Sequence, residues 1–101
     1  MSLAQLTAIR QMLAENPILV PGASLADMRR GLDAMGGMAP RLPDVHAVAV
    51  DAAGIPAEWL LPRDHDAGRV LLYLHGGGYV LGSVQSHRPL LERLAVASGM
   101  R

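Results

Sequence analysis

The stretch Val70-Leu71-Leu72-Tyr73-Leu74-His75-Gly76-Gly77-Gly78-Tyr79 decides how the rest of the chain is read. Its first five residues form a nearly all-apolar run, the composition of a strand buried on both faces. Three residues without side chains follow at once. Glycines in that place let backbone N–H groups face a cavity and let a ligand approach the main chain closely. A tetrahedral acyl-transfer intermediate needs fixed donors of this kind when its carbonyl oxygen turns negative. Each well-placed donor is worth roughly 3–4 kcal/mol of transition-state stabilisation. A glycine-rich turn can also cradle phosphate through its N–H groups, or serve only as a tight turn. The dinucleotide pattern would require Gly at position 81 after Gly76 and Gly78; Leu81 stands there, and no Walker lysine is present.

Downstream of the glycines, Ser86 or a neighbour starts a helix with Leu90, Leu91, Leu94 and Ala95 inward. Pro89 is tolerable in its first turn, and Gly99 suits the position just past its end. A buried strand followed by a helix implies a crossover to a further, parallel strand. Its destination lies past Arg101, so the chain reads as truncated, the N-terminal portion of a longer fold. Upstream, Val45 to Asp51 alternates as a strand, Ala52-Ala53-Gly54 is a turn, and Ile55 to Leu61 is a second strand, together an antiparallel hairpin. Pro56 suits an edge or a strand entry. Pro62 to Arg69 is a polar loop.

The N-terminal third has a different period. Ser2-Leu3-Ala4-Gln5 reads as a capping box, and Leu3, Leu6, Ile9, Met12 and Leu13 then follow at helical spacing until Asn16-Pro17. Ser24 with Asp27 opens a second helix, with Leu25, Met28, Leu32 and Met35 on one face, which Gly36-Gly37 is expected to stop. The organisation is therefore residues 1–37 helical, 38–44 a proline-containing linker, and 45–101 the sheet-forming part.

The extended motif His75-Gly76-Gly77-Gly78-Tyr79-Val80-Leu81-Gly82-Ser83, followed by His87, resembles the hormone-sensitive-lipase-like esterases of the α/β-hydrolase fold, whose HGGG loop follows the third strand. The layout is similar as well: two amphipathic helices like that family's cap, a hairpin containing Gly54-Ile55-Pro56-Ala57-Glu58-Trp59, then the oxyanion strand. The resemblance implies an α/β fold, comprising two cap helices (1–37), the hairpin, the oxyanion strand and the first sheet-packing helix. It implies that Gly77 and Gly78 donate the oxyanion-hole N–H groups, that Gly76 serves the loop geometry, and that Tyr79 lines the substrate pocket. In that family the catalytic Ser, Asp or Glu, and His come later, so no triad residue is assigned here and the chain alone is expected to be inactive. The strand after Gly99 would lie between the hairpin's second strand and Val70–Leu74. The implied substrate is a small carboxylic ester, and the implied partner is the remainder of the enzyme or another copy of the chain.

Other candidates carry less. His75 reads as a structural residue tying the loop to nearby backbone, and His87 likewise. His46 and His65 have no partner at ligand spacing, so neither a metal nor a cofactor is expected. Gly22-Ala23-Ser24-Leu25-Ala26 partly mimics a nucleophile elbow, but prolines bracket the preceding stretch and Ser24 is explained as a helix cap. The methionines at 12, 28, 35 and 38 suit packing, or a mobile lid. The 101 residues are half hydrophobic with zero formal net charge and no cysteine, which excludes disulfides, thiolate chemistry and a disordered tail. The nine basic residues, all Arg, are scattered, so no nucleic-acid stripe exists. With neither a signal peptide nor an apolar run of roughly 20 residues, a cytoplasmic location is expected.

Overall fold

A computed structural model describes residues 1–101. The order is α1 (Leu3–Glu15), α2 (Leu25–Gly37), β1 (Val45–Ala52), β2 (Ile55–Pro62) and α3 (Val84–Ser98). Side-chain caps explain each helix start. Ser2 and Gln5 satisfy each other's amides at 3.2 and 2.7 Å. The Ser24 hydroxyl accepts from Asp27 N–H at 3.1 Å, and Ser83 caps α3 with Ser86 reaching back. Removing such a cap costs about 1 kcal/mol. The Ser24 hydroxyl, and then Arg30, hold the exposed Asp27 carboxyl below its ordinary range. What that charge adds to α2 is present above the ordinary carboxylate range and fades as pH falls through the lowered value.

The hairpin turns on Ala53 and Gly54, at φ 57° and 88°, two left-handed residues whose twist matches that of the paired strands. Register runs from Val45 opposite Pro62 to Ala52 opposite Ile55. Helix α3 packs on β2, and α2 packs on α3, which orders the layers. At the centre is a carboxylate. Glu92 has 0% of its surface exposed, and it accepts from the Arg41 guanidinium and from Leu42 N–H at 2.9 Å. The proline-containing segment 38–44 is thereby pinned to α3. Arg88 of α3 donates to Glu58 of β2 at 2.8 Å, a second tie between helix and hairpin. Helix α1 buries no residue.

As expected, Gly36-Gly37 closes α2, which ends at Gly37 with Met38 as its C-cap. The reason for Gly36 is proximity: a Cβ there would lie 2.6 Å from Ser86 Cα, so the glycine lets α2 and α3 touch backbone to backbone. Two expectations are corrected. First, Leu90 and Leu94 are exposed; Ala95 is buried and Leu91 half-buried as expected, and the inward face of α3 also carries Arg88 and Glu92. Second, Val70–Leu74 forms no regular strand and is not buried; Leu72 and Leu74 are 78% and 82% exposed. A strand needs neighbours, and here one ladder bond exists, from Leu71 N–H to Arg101 O at 2.8 Å. A parallel bridge joins Asp66 to Met100, and the Arg101 guanidinium sits 5.3 Å from the Trp59 ring centroid. Arg101 thus bonds to the Val70–Leu74 segment and lies against Trp59 of β2.

Two of the three glycines of α2 should respond oppositely to alanine. At Gly31 a Cβ meets nothing within 4 Å, so Gly31→Ala should stabilise by about 0.5–1 kcal/mol. Gly36→Ala should destabilise by about 1–3 kcal/mol, because α3 must move away. Urea unfolding of the two variants checks both signs.

Candidate active site

Residues 75–82 form a loop between Val70–Leu74 and α3, and with Arg29 they line a recess of about 530 Å³. Its backbone is left-handed through Gly77, Gly78 and Tyr79, at φ 138°, 62° and 64°. Gly77 admits no side chain at all, since a Cβ would lie 1.8 Å from Leu81 O. Gly82 is constrained in the same way, its Cβ position being 2.6 Å from Gly76 O and 2.7 Å from His75 Nδ1. Gly76 has open space at its Cβ position, as does Gly78. Tyr79 is fully exposed at the rim of the recess.

The amides at Gly76, Gly77, Gly78 and Tyr79 donate to nothing within the chain. Their neighbours, by contrast, are held. The N–H groups of Val80 and Leu81 both donate to Gly77 O, at 3.2 and 2.9 Å. His75 Nδ1 lies 2.8 Å from Gly76 O, and a carbonyl cannot donate, so Nδ1 carries the hydrogen. His75 therefore binds its own loop. Its ring stacks 5.2 Å from that of His87, which in turn lies 6.4 Å from the Tyr73 ring. His87 Nδ1 is 2.9 Å from the Ser86 hydroxyl. The two histidines lock the loop to the start of α3.

Elsewhere, Ser24 caps α2 and its hydroxyl donates to Asp27 at 2.6 Å. His65 Nδ1 lies 2.7 Å from Pro62 O. No three residues of the types His, Cys, Asp and Glu gather closely enough to hold a metal. No helix is long and apolar enough to cross a membrane. Sequence reasoning missed two residues of α2 that touch the loop. Arg29 Nε donates to Val80 O at 2.7 Å, and Asp33 accepts from the Ser83 hydroxyl. Neither left a local signal, because each partner lies about fifty positions away.

Residues 71–101 match the family model of the α/β-hydrolase fold. An esterase of the bacterial hormone-sensitive-lipase family superposes on the whole chain with a TM-score of 0.88 at 35% identity. The chain has the fold of the N-terminal portion of an α/β-hydrolase. It covers 34% of that esterase. An acetyl-hydrolase of Streptomyces hygroscopicus is 60% identical over 43 residues, 43% of this chain and 14% of the relative. An ethyl acetate hydrolase of Pseudomonas putida is 40% identical over 62 residues, 58% of this chain and 20% of the relative. The chain spans a fifth or less of the length of these two relatives.

Alanine at Gly82 should disturb the loop and alanine at Gly76 should not. Amide spectra of Gly82→Ala should shift across residues 75–82, whereas Gly76→Ala should perturb only its immediate neighbours.

Proposed function

We propose that this chain supplies the oxyanion-hole loop and a cap segment of a carboxylic ester hydrolase. The observation that carries the reading is the row of acceptor-free amides at Gly76–Gly78 beside an open recess, on peptide planes whose carbonyls at Gly76 and Gly77 are held. In this reading Gly77 and Gly78 donate to the carbonyl oxygen of the ester as it becomes an alkoxide. Gly76, with empty space at its Cβ position, leaves room for the acyl group to come close. Tyr79 borders the bound ester from the rim. Residues 1–37 serve as the cap segment, 38–44 as linker, and 45–101 as the beginning of the hydrolase core.

The nucleophilic Ser, its His and the Asp or Glu belong to the remainder of the enzyme. The serine would attack the ester carbon while the histidine takes its proton. The collapsing alkoxide would expel the alcohol, which takes that proton from the histidine; water, giving a proton to the same histidine, would then attack the acyl-enzyme, release the acid and restore the serine. The names of the relatives favour small acyl groups such as acetyl. Two donors without a nucleophile stabilise an intermediate that never forms. The purified 101-residue chain should therefore give no turnover of a nitrophenyl acetate above a buffer blank, whereas the full-length polypeptide should hydrolyse it. In the latter, Gly77→Ala should lower kcat by about 10²–10³-fold, the cost of one lost donor. An unchanged kcat in that variant would overturn the reading.

A second role, strand pairing by the chain itself, is favoured by the uncovered Val70–Leu74 segment with its single ladder bond. An unpaired apolar edge is a template for another strand, whether from the rest of the enzyme or a second copy. Light scattering of the purified chain should then report a species heavier than its 10.7 kDa monomer. A well-behaved monomer would count against this role.

A further inference from the structure

Resting on the oxyanion-hole reading, we infer that Arg29 of α2 is a positioning residue for the Gly78 donor, acting through two rigid peptide planes. The argument starts from the planarity of the peptide bond, which fixes a carbonyl and the next residue's N–H antiparallel in one unit. Arg29 Nε donates to the Val80 carbonyl at 2.7 Å. The other end of that same peptide plane is Leu81 N–H, which donates to the Gly77 carbonyl at 2.9 Å. The other end of the Gly77 plane is Gly78 N–H, which has no acceptor in the chain. A guanidinium is thus joined to a free donor by two hydrogen bonds and two planes. Turning either plane would break a bond behind it.

The relay carries charge as well as direction. Donors and acceptors in a hydrogen-bonded chain polarise one another, and here the chain begins at a cation. Arg29 has no carboxylate partner; the four ion pairs of the chain involve Arg30, Arg41, Arg63 and Arg88. Its charge is not spent locally.

Two further contacts hold Arg29 in register with the loop. Positions 29, 33 and 36 share one face of α2, being spaced by four and three. They meet positions 80, 83 and 86 in order: Arg29 on Val80, Asp33 on the Ser83 hydroxyl, and Gly36 against Ser86. Helix α2 is accordingly a strut for the loop rather than a freely mobile lid.

The test uses Arg29→Ala, Arg29→Gln and Arg29→Lys in the full-length polypeptide, with Arg30→Ala as the control of equal charge loss. Arg29→Ala should lower kcat about ten- to a hundredfold, the effect of a slightly misplaced donor, while KM changes less than about threefold. Lysine should restore most of the loss. Glutamine, a donor without charge, should fall between. Binding of a trifluoromethyl ketone, which presents an alkoxide to the loop, should weaken in parallel with kcat. In the 101-residue chain, Arg29→Ala should shift the Gly78 amide resonance and Arg30→Ala should leave it in place. If the wild-type polypeptide hydrolyses esters but Arg29→Ala alters only KM or Tm, the relay is wrong and the esterase reading survives. If the wild type hydrolyses none while the Gly78 resonance still moves, the relay stands and the esterase reading falls. An unmoved resonance overturns the relay in either case.

Discussion

The peptide planes of the glycine loop are held from their carbonyl side, and the donor role proposed for this chain depends on that constraint. An N–H group aimed at solvent has little to define its direction, since any rotation of the plane leaves it hydrated. Here the planes carrying Gly77 N–H and Gly78 N–H are anchored instead by what their carbonyls accept: His75 Nδ1 on Gly76 O, and the amides of Val80 and Leu81 on Gly77 O. Preorganised donors stabilise developing charge without reorganising at the moment of reaction, which is why such an arrangement is worth more than equally many mobile donors. The constraint also explains the composition of the loop. Gly77 and Gly82 are demanded by contacts under 3 Å, whereas Gly78 is demanded by its left-handed φ alone.

Holding the loop falls to α2 and α3, and their own anchoring is polar. A helix that buries Glu92 and carries Arg88 against Glu58 is set by directional bonds more than by apolar area. Removing one partner of a buried charge pair typically costs about 3–5 kcal/mol. That cost disfavours sliding of α3 along the hairpin. The carboxylate also accepts from Leu42 N–H, so segment 38–44 cannot drift from the helix without stranding a buried charge. The extents of 45 × 39 × 20 Å and a radius of gyration of 15.4 Å describe a plate; a compact domain of this length has a radius near 13 Å. In a plate, apolar area contributes less, and the polar ties carry more of the positional definition.

Local chemistry was legible in the sequence; contacts across fifty residues were not. The alternation of Val45–Asp51 and the Ala53-Gly54 corner announce the hairpin, because side-chain period and turn residues act within a few positions. Ser2 and Ser24 work as caps for the same reason, whereas the last helix is capped by Ser83, upstream of the Ser86 that its apolar pattern suggests. The glycine loop is legible because its tightest positions, Gly77 and Gly82, leave no room for a side chain. By contrast, an apolar run such as Val70–Leu74 says what a segment would bury and not whether neighbours are present to bury it. Leu90 and Leu94 mislead in the same manner. Glu92 reads as an ordinary surface residue until Arg41 and Leu42 arrive from a distant segment, and Gly36 only as a helix stop until α3 is seen against it.

The loop keeps one conformation that its sequence does not favour. Tyr79 is left-handed at φ 64°, a state that costs a residue with a Cβ about 1–2 kcal/mol. It is also fully exposed, so no packing of its ring compensates. The compensation is in the two bonds that follow it, from Val80 and Leu81 to Gly77 O, which close the turn only if Tyr79 stays left-handed. Strain of this kind persists where surrounding structure over-determines the backbone. Arg29 adds to that over-determination from outside the loop by holding the Val80 carbonyl. A helix near the N-terminus therefore bears on a torsion at the recess through ordinary hydrogen bonds, and the aromatic ring is kept at the rim because relaxing its backbone would release the plane that carries Gly78 N–H.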